Sequence, residues 1–106
     1  MHVEFRVLGP LELRLGGETV PLRGQRLRTL LADLLVHLGE VVPRDRLVED
    51  LWPNGAPKGA EHAIETHVSK LRTALEGAAT VARRPPGYVL AVEPGAVDSV
   101  RFEQLL

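Results

Sequence analysis

The 106-residue chain is predicted to be an α+β domain: an N-terminal antiparallel sheet, three helices, then a C-terminal β-hairpin. Three observations predict it. Apolar and polar side chains alternate through the first 22 residues. The period changes to about 3.6 from Gln25 to Gly77, and alternation returns on both sides of the turn PPGY.

The elements follow in order. Residues 3–8, VEFRVL, put Val3, Phe5 and Val7 on one side and Glu4 and Arg6 on the other. After Gly9-Pro10, Leu11, Leu13 and Leu15 alternate with Glu12 and Arg14. Gly16-Gly17 is a two-residue hairpin signal, and ETVPL supplies a short third strand. From Gln25 to Leu38, the set Leu27, Leu30, Leu31, Leu34, Leu35 and Leu38 forms a broad helical stripe ended by Gly39. A second helix is expected to start near Pro43, whose fixed φ suits a first helical position. It carries Leu47, Val48 and Leu51 inward and stops at Trp52-Pro53. WPNGAPKGA is a loop too long for a tight helix-turn-helix elbow. The third helix, about residues 59–76, turns Ile64, Val68, Leu71 and Leu75 inward. TVARR and YVLAV form the hairpin; Pro85 and Pro86 stiffen its turn and remove two N–H groups. EPGAV reads as loop, and Asp98 to Leu106 begins another element with Val100, Phe102, Leu105 and Leu106 apolar. The order β-β-β, α-α-α, β-β is the winged helix-turn-helix plan. In it the last helix can enter a major groove ~12 Å wide while the hairpin reaches the flanking backbone.

Composition narrows the function. With 44% hydrophobic and 25% charged residues, the chain has the make-up of a folded soluble domain. No apolar run approaches the ~20 residues needed to cross a bilayer, and the N-terminus reads as a strand, not a signal peptide. Without cysteine, disulfides and thiolate metal sites are excluded. A cytoplasmic, nucleoid-associated location is expected, with no membrane partner. Net charge is −1, but its distribution is uneven. Residues 21–30 hold Arg23, Arg26 and Arg28 with no acid, residues 80–88 hold Arg83 and Arg84, and acids gather at Asp45, Glu49 and Asp50. Such a chain can present a basic face, or its arginines can be merely solvated; composition leaves both open.

Catalysis is not expected. The chain has two serines, Ser69 and Ser99, and none of the patterns GxxxxGK[ST], GxGxxG or HExxH. Glu61 and Glu65 share a helical face, but nothing marks a substrate cleft around them. His62 and His67 are five positions apart, about 140° of helical rotation, so they cannot share a metal, and no third ligand is near. No catalytic residue, metal site or cofactor is assigned.

The outward face of the third helix offers Thr66, His67, Ser69, Lys70, Arg72 and Thr73. Lys70 and Arg72 suit phosphates or guanine acceptors; Thr66 and Ser69 are short enough to let a helix sit deep in a groove. Arg83 and Arg84, near the wing tip, suit a minor groove or a phosphate. Arg23, Arg26 and Arg28 stand at the start of the first helix and Arg44 and Arg46 at the start of the second, where backbone N–H groups favour phosphate. Of these, Arg23, Arg26 and Arg44 are taken as DNA-backbone contacts. Tyr88 is expected to pack beneath the wing and Trp52 to serve as a core lid.

The N-terminal sheet opening FRVLGPLEL, then RGQRLRTLLADLL, VVPRDRLVEDLW, AIETHVSKLRTAL and PPGYVL, together resemble the effector domain of OmpR/PhoB-type winged-helix regulators. More narrowly they resemble the Streptomyces antibiotic regulatory protein (SARP) and AfsR group of transcriptional activators. The resemblance covers about residues 3–93. It implies an OmpR/PhoB-type DNA-binding domain over residues 1–95. Residues 96–106 would be a linker and the start of a truncated helical activation domain, since Asp98 to Leu106 is similar to its opening Asp and Phe-containing helix. It also implies a recognition helix with His62, Thr66, His67, Ser69, Lys70 and Arg72, although His62 and Ser69 stand where arginine is frequent in two-component regulators. It implies that Asp50, Asn54 and Lys58, in or beside the WPNGAPKGA loop, face RNA polymerase through its sigma subunit, with the alpha subunit a second candidate. Double-stranded promoter DNA, side-by-side copies on direct repeats, and control of secondary-metabolite (antibiotic) biosynthesis complete the implied role. The competing class is a winged-helix protein–protein interaction module that does not bind DNA.

Overall fold

A computed structural model describes residues 3–7, 11–15, 18–20, 22–75, 79–92 and 97–102. In chain order the elements are β1 (Val3–Val7), β2 (Leu11–Leu15), β3 (Glu18–Val20), α1 (Gln25–Val36), β4 (Val42–Pro43), α2 (Arg44–Leu51), α3 (Ala60–Leu75), β5 (Ala79–Arg84), β6 (Gly87–Val92) and β7 (Val97–Phe102).

β1 and β2 are antiparallel, with Val3 opposite Leu15 and Val7 opposite Leu11. β2 pairs with β3 in the same sense, Leu13 facing Val20. β7 then adds to β1 in parallel, giving the sheet order β3-β2-β1-β7. This corrects the expectation that a helix opens at Asp98: residues 97–102 are strand. The reason is legible in the residues, because Val100 and Phe102 alternate with Ser99 and Arg101 at a period of two. Leu105, Leu106 and the Gly9-Pro10 and Gly16-Gly17 turns lie outside the described residues.

The helical period delivers one shared core. Leu27, Leu30, Leu31, Leu34 and Leu35 of α1 meet Leu47 and Leu51 of α2 and Ile64, Val68, Leu71 and Leu75 of α3. Val81, Tyr88 and Leu90 close it from the hairpin, and none of these side chains is more than 6% exposed. Burying each large aliphatic side chain stabilises the fold by roughly 1.5–3 kcal/mol. Val48 and Trp52 are partly buried against the same cluster, so Trp52 does act as a lid.

Two boundaries differ from the prediction. α1 ends at Val36, with His37 as its C-cap, so Leu38 falls beyond the stripe and is 39% exposed. The turn is set by Gly39 at φ +82°, whose N–H donates to the Leu90 carbonyl at 2.9 Å and ties the helix end to the hairpin. Pro43 is the N-cap of α2 and not its first helical residue, with extended dihedrals of −61° and 143°. It belongs with Val42 to a two-residue strand, Val42 opposite Tyr88 and Pro43 opposite Gly87, giving a second sheet of order β4-β6-β5. Gly87 is required there by close approach: a Cβ would overlap the Val42 carbonyl oxygen and lie 2.8 Å from Pro43 Cα. The Arg44 N–H also donates to the Pro86 carbonyl at 3.1 Å, so the start of α2 hangs on the wing turn.

Between α1 and α2, Asp33 stands beside Asp50 with its Oδ2 buried and without a hydrogen-bond partner. Burial first, then the neighbouring Asp50 carboxylate, push the Asp33 carboxyl up from 3.8 to about 7, while Arg46 pulls it back. Its protonated form is the one the fold prefers. That contribution is fully present below pH 3.8 and is lost as pH rises through about 7. Among the described residues, no helix is long and apolar enough to cross a membrane.

Candidate nucleic-acid interface

α3 lies with one face in the core and three distinct surroundings for the rest. Its outermost residues, His62, Thr66, Ser69, Lys70 and Thr73, are exposed. Two of their hydroxyls already donate inward along the helix: Thr66 Oγ1 to the His62 carbonyl at 3.1 Å and Thr73 Oγ1 to the Ser69 carbonyl at 3.2 Å. These threonines therefore keep acceptor lone pairs, and a methyl group, for whatever approaches the helix.

On one flank α3 meets the wing. Arg72 Nε donates to the Val81 carbonyl of β5 at 2.9 Å, bridging helix and hairpin. The expected groove or phosphate residue is thus also a strut, with its terminal guanidinium N–H groups still free to turn outward. Between helix and wing runs a cleft of about 240 Å³ lined by Glu65, Val68, Arg72, Arg83 and Tyr88. Tyr88 is buried at the base, as expected, and Arg83 and Arg84 are exposed on either side of the wing's end.

On the other flank α3 meets Trp52. Here His67 departs from its expected outward position. Its ring centroid lies 6.4 Å from that of Trp52, and its Nδ1 is buried without a partner. Burial, then Lys70 and Arg26, hold its pKa below the ordinary 6.5. The signal was in the spacing: His67 precedes buried Leu71 by four residues, within about 40° of it on the helix. Arg26 places its Cζ 5.4 Å from the centre of the Trp52 ring, so part of its surface is spent on that face. Arg23 is exposed at the mouth of α1. Arg28 instead donates back to the Leu22 carbonyl at 3.1 Å.

Arg44, expected at the DNA backbone, is paired with Glu61 of α3, Nη1 to Oε2 at 3.2 Å, which offsets part of its charge. Arg46 lies 3.9 Å from Asp50 within α2. The loop between α2 and α3 is exposed from Pro53 to Gly59, with Asn54 and Lys58 in it and exposed Asp50 just before. Gly55 and Gly59, at φ +115° and +76°, turn the chain there. Sequence reasoning placed Glu65 on a helical face without assigning it to the site. It missed the close approach of Gly87 to Val42 and Pro43, which is visible only once β6 is paired with β4.

A helix with an exposed polar face, beside a hairpin strutted to it by an arginine, now has a counterpart among known proteins. The family model described as "Transcriptional regulatory protein, C terminal" matches residues 17–90. The chain belongs to that family. This regulatory domain is 39% identical over 95 residues to the transcriptional regulatory protein MoaR1 of Mycobacterium tuberculosis, covering 85% of this chain and 30% of that protein. It is 35% identical over 106 residues to EmbR of the same species, covering 95% of this chain and 27% of that one. Regulatory protein AfsR of Streptomyces coelicolor is 32% identical over 97% of this chain and 10% of its own length. The chain therefore spans under a third of each of these relatives.

The solved structures agree. That of M. tuberculosis EmbR in complex with a low-affinity phosphopeptide superposes with a TM-score of 0.79 at 33% identity, over 91% of this chain and 27% of that one. The Klebsiella pneumoniae RstA DNA-binding domain in complex with the RstA box gives 0.62 at 28% identity, over 76% and 82%. The regulatory domain is thus an OmpR/PhoB-type winged helix of the SARP/AfsR kind, as its motifs implied.

Proposed function

We propose that this domain binds double-stranded DNA in a sequence-specific way, with α3 in the major groove and the wing on the neighbouring backbone. One observation carries the reading. The face of α3 turned away from the core exposes His62, Thr66, Ser69, Lys70 and Thr73, with exposed Glu65 and Arg72 on its wing side, and Arg83 and Arg84 project from the adjacent wing. Lys70 and Arg72 then meet phosphates or guanine acceptors, Thr66, Ser69 and Thr73 approach base edges, and Arg83, Arg84 and Arg23 hold the backbone. Arg26 and Arg44 are secondary contacts, because Trp52 and Glu61 already occupy them. His67 acts by packing on Trp52. The RstA domain bound to its box supports the same use of the fold.

The wider role is that of a promoter-binding activator. Side-by-side copies would occupy direct repeats, and the exposed loop with Asp50, Asn54 and Lys58 would meet RNA polymerase, through its sigma subunit first and its alpha subunit second. An activation domain following β7 and a role in antibiotic biosynthesis complete this reading, which draws on the family that the chain shares with AfsR, a regulatory protein of which it spans 10%. The test is a gel-shift salt titration on promoter fragments. A DNA binder weakens by about 0.9 log units per log unit of salt for each phosphate contact. Absence of any shift at low salt would leave the protein–protein interaction module as the better reading.

A further inference from the structure

One residue on this face has the wrong charge for phosphate. Glu65 is half-exposed and lines the cleft between α3 and the wing with Arg72 and Arg83. At ~100° per residue it lies about 20° from Arg72 and about 40° from Ser69 around the helix, on the side turned toward the groove. Among the described residues no arginine approaches its carboxylate within salt-bridge distance. Its ionic neighbour is His62, at 3.9 Å and with 86% of that side chain exposed, a pair too long and too solvated to hold it.

A carboxylate on a helix entering DNA is repelled by every phosphate. It has one favourable partner class in the major groove, an exocyclic amino group, and cytosine N4 presents that donor with no acceptor beside it on the same base. Arg72 and Arg83 line the same cleft, so their positive charge offsets part of the repulsion that a phosphate backbone would exert on Glu65. We propose that Glu65 is a specificity-determining residue that selects a cytosine at one position of the binding site. The inference rests on the reading of α3 as the groove helix. It adds a contact of opposite sign to the basic and hydroxyl residues assigned above.

The experiment is selection from a pool of random-sequence duplexes with the wild-type chain, Glu65→Ala and Glu65→Gln, each checked for unchanged thermal unfolding. The wild type is expected to enrich cytosine at one fixed position by roughly tenfold, with that preference lost in Glu65→Ala and the other positions retained. Glu65→Gln is expected to move the same position toward adenine, because an amide offers the donor and acceptor that adenine N7 and N6 match. If both variants keep every base preference and simply bind all duplexes more tightly, Glu65 is only an electrostatic brake and the proposal falls. It falls equally if binding weakens uniformly with a smaller salt slope, which would make Glu65 a support for the arginines. A wild type that enriches no sequence would overturn the DNA-binding reading itself, an outcome separate from either of these.

Discussion

The two flanks of α3 are built in opposite ways. Toward the wing, contacts are made to backbone: Arg72 Nε reaches the Val81 carbonyl of β5, and within the wing's own sheet Gly87 is held against Val42 and Pro43 of β4. Toward the α2–α3 loop, contacts are made between side chains: Arg26 over Trp52, and His67 tilted at 45° to the same ring with Nδ1 unpartnered. A contact to backbone has at least one partner that cannot rotate away, and at Gly87 both partners are backbone. Side-chain stacking tolerates shifts and responds to charge. The wing flank therefore sets the geometry of the interface, whereas the Trp52 flank modulates it.

The largest expected effect breaks the rigid flank. Gly87→Ala drives a Cβ into backbone that cannot move without parting β4 from β6, and should cost about 3 kcal/mol or more, read as a lower denaturation midpoint. Arg72→Ala comes next. It leaves the Val81 carbonyl without this donor in a partly exposed site, costing about 1 kcal/mol of stability and weakening DNA binding by more than that loss explains. Arg72→Lys should restore charge but not the Nε bridge, so recovery of binding without recovery of stability would sharpen the distinction.

The soft flank is tested by pH. Because the fold depresses the His67 pKa, its contribution is present above pH 6.5 and is lost as pH falls through the lower folded value. His67→Gln should flatten that acid limb while hardly changing stability at pH 8, as followed by thermal unfolding across pH. An unchanged limb would mean that the Trp52 flank is not the acid-sensitive one. The smallest effect on the fold belongs to Arg84→Ala. Exposed at the wing's end, it should leave unfolding unaltered while reducing the salt slope of DNA binding by about 0.9.

The same contrast explains what could be read from sequence. The buried stripes of α1 and α3 were legible because a 3.6-residue period in Leu, Ile and Val admits one solution, and Leu38 failed only because Gly39 turns the chain early. β4 was not legible: two residues carry no period, and their pairing depends on Gly87, far along the chain. β7 was legible in principle, through Val100 and Phe102, but a family likeness to a helix outweighed the alternation. At the interface, the exposed set followed from periodicity. Which members were already engaged did not, because the partners of Arg72, Arg26 and Arg44 come from other elements. His67 could have been placed inward from its spacing to Leu71 alone.

In the proposed complex the outer face of α3 lies in a major groove with the wing beside it. Methylation interference on a duplex selected from the random pool tests it directly, since guanine N7 faces the major groove and adenine N3 the minor. Guanine N7 methylation should abolish binding across the short run of bases that α3 covers, with any adenine N3 effect confined to the flank beneath the wing. Binding that is indifferent to N7 methylation throughout the site would mean that α3 does not enter the major groove.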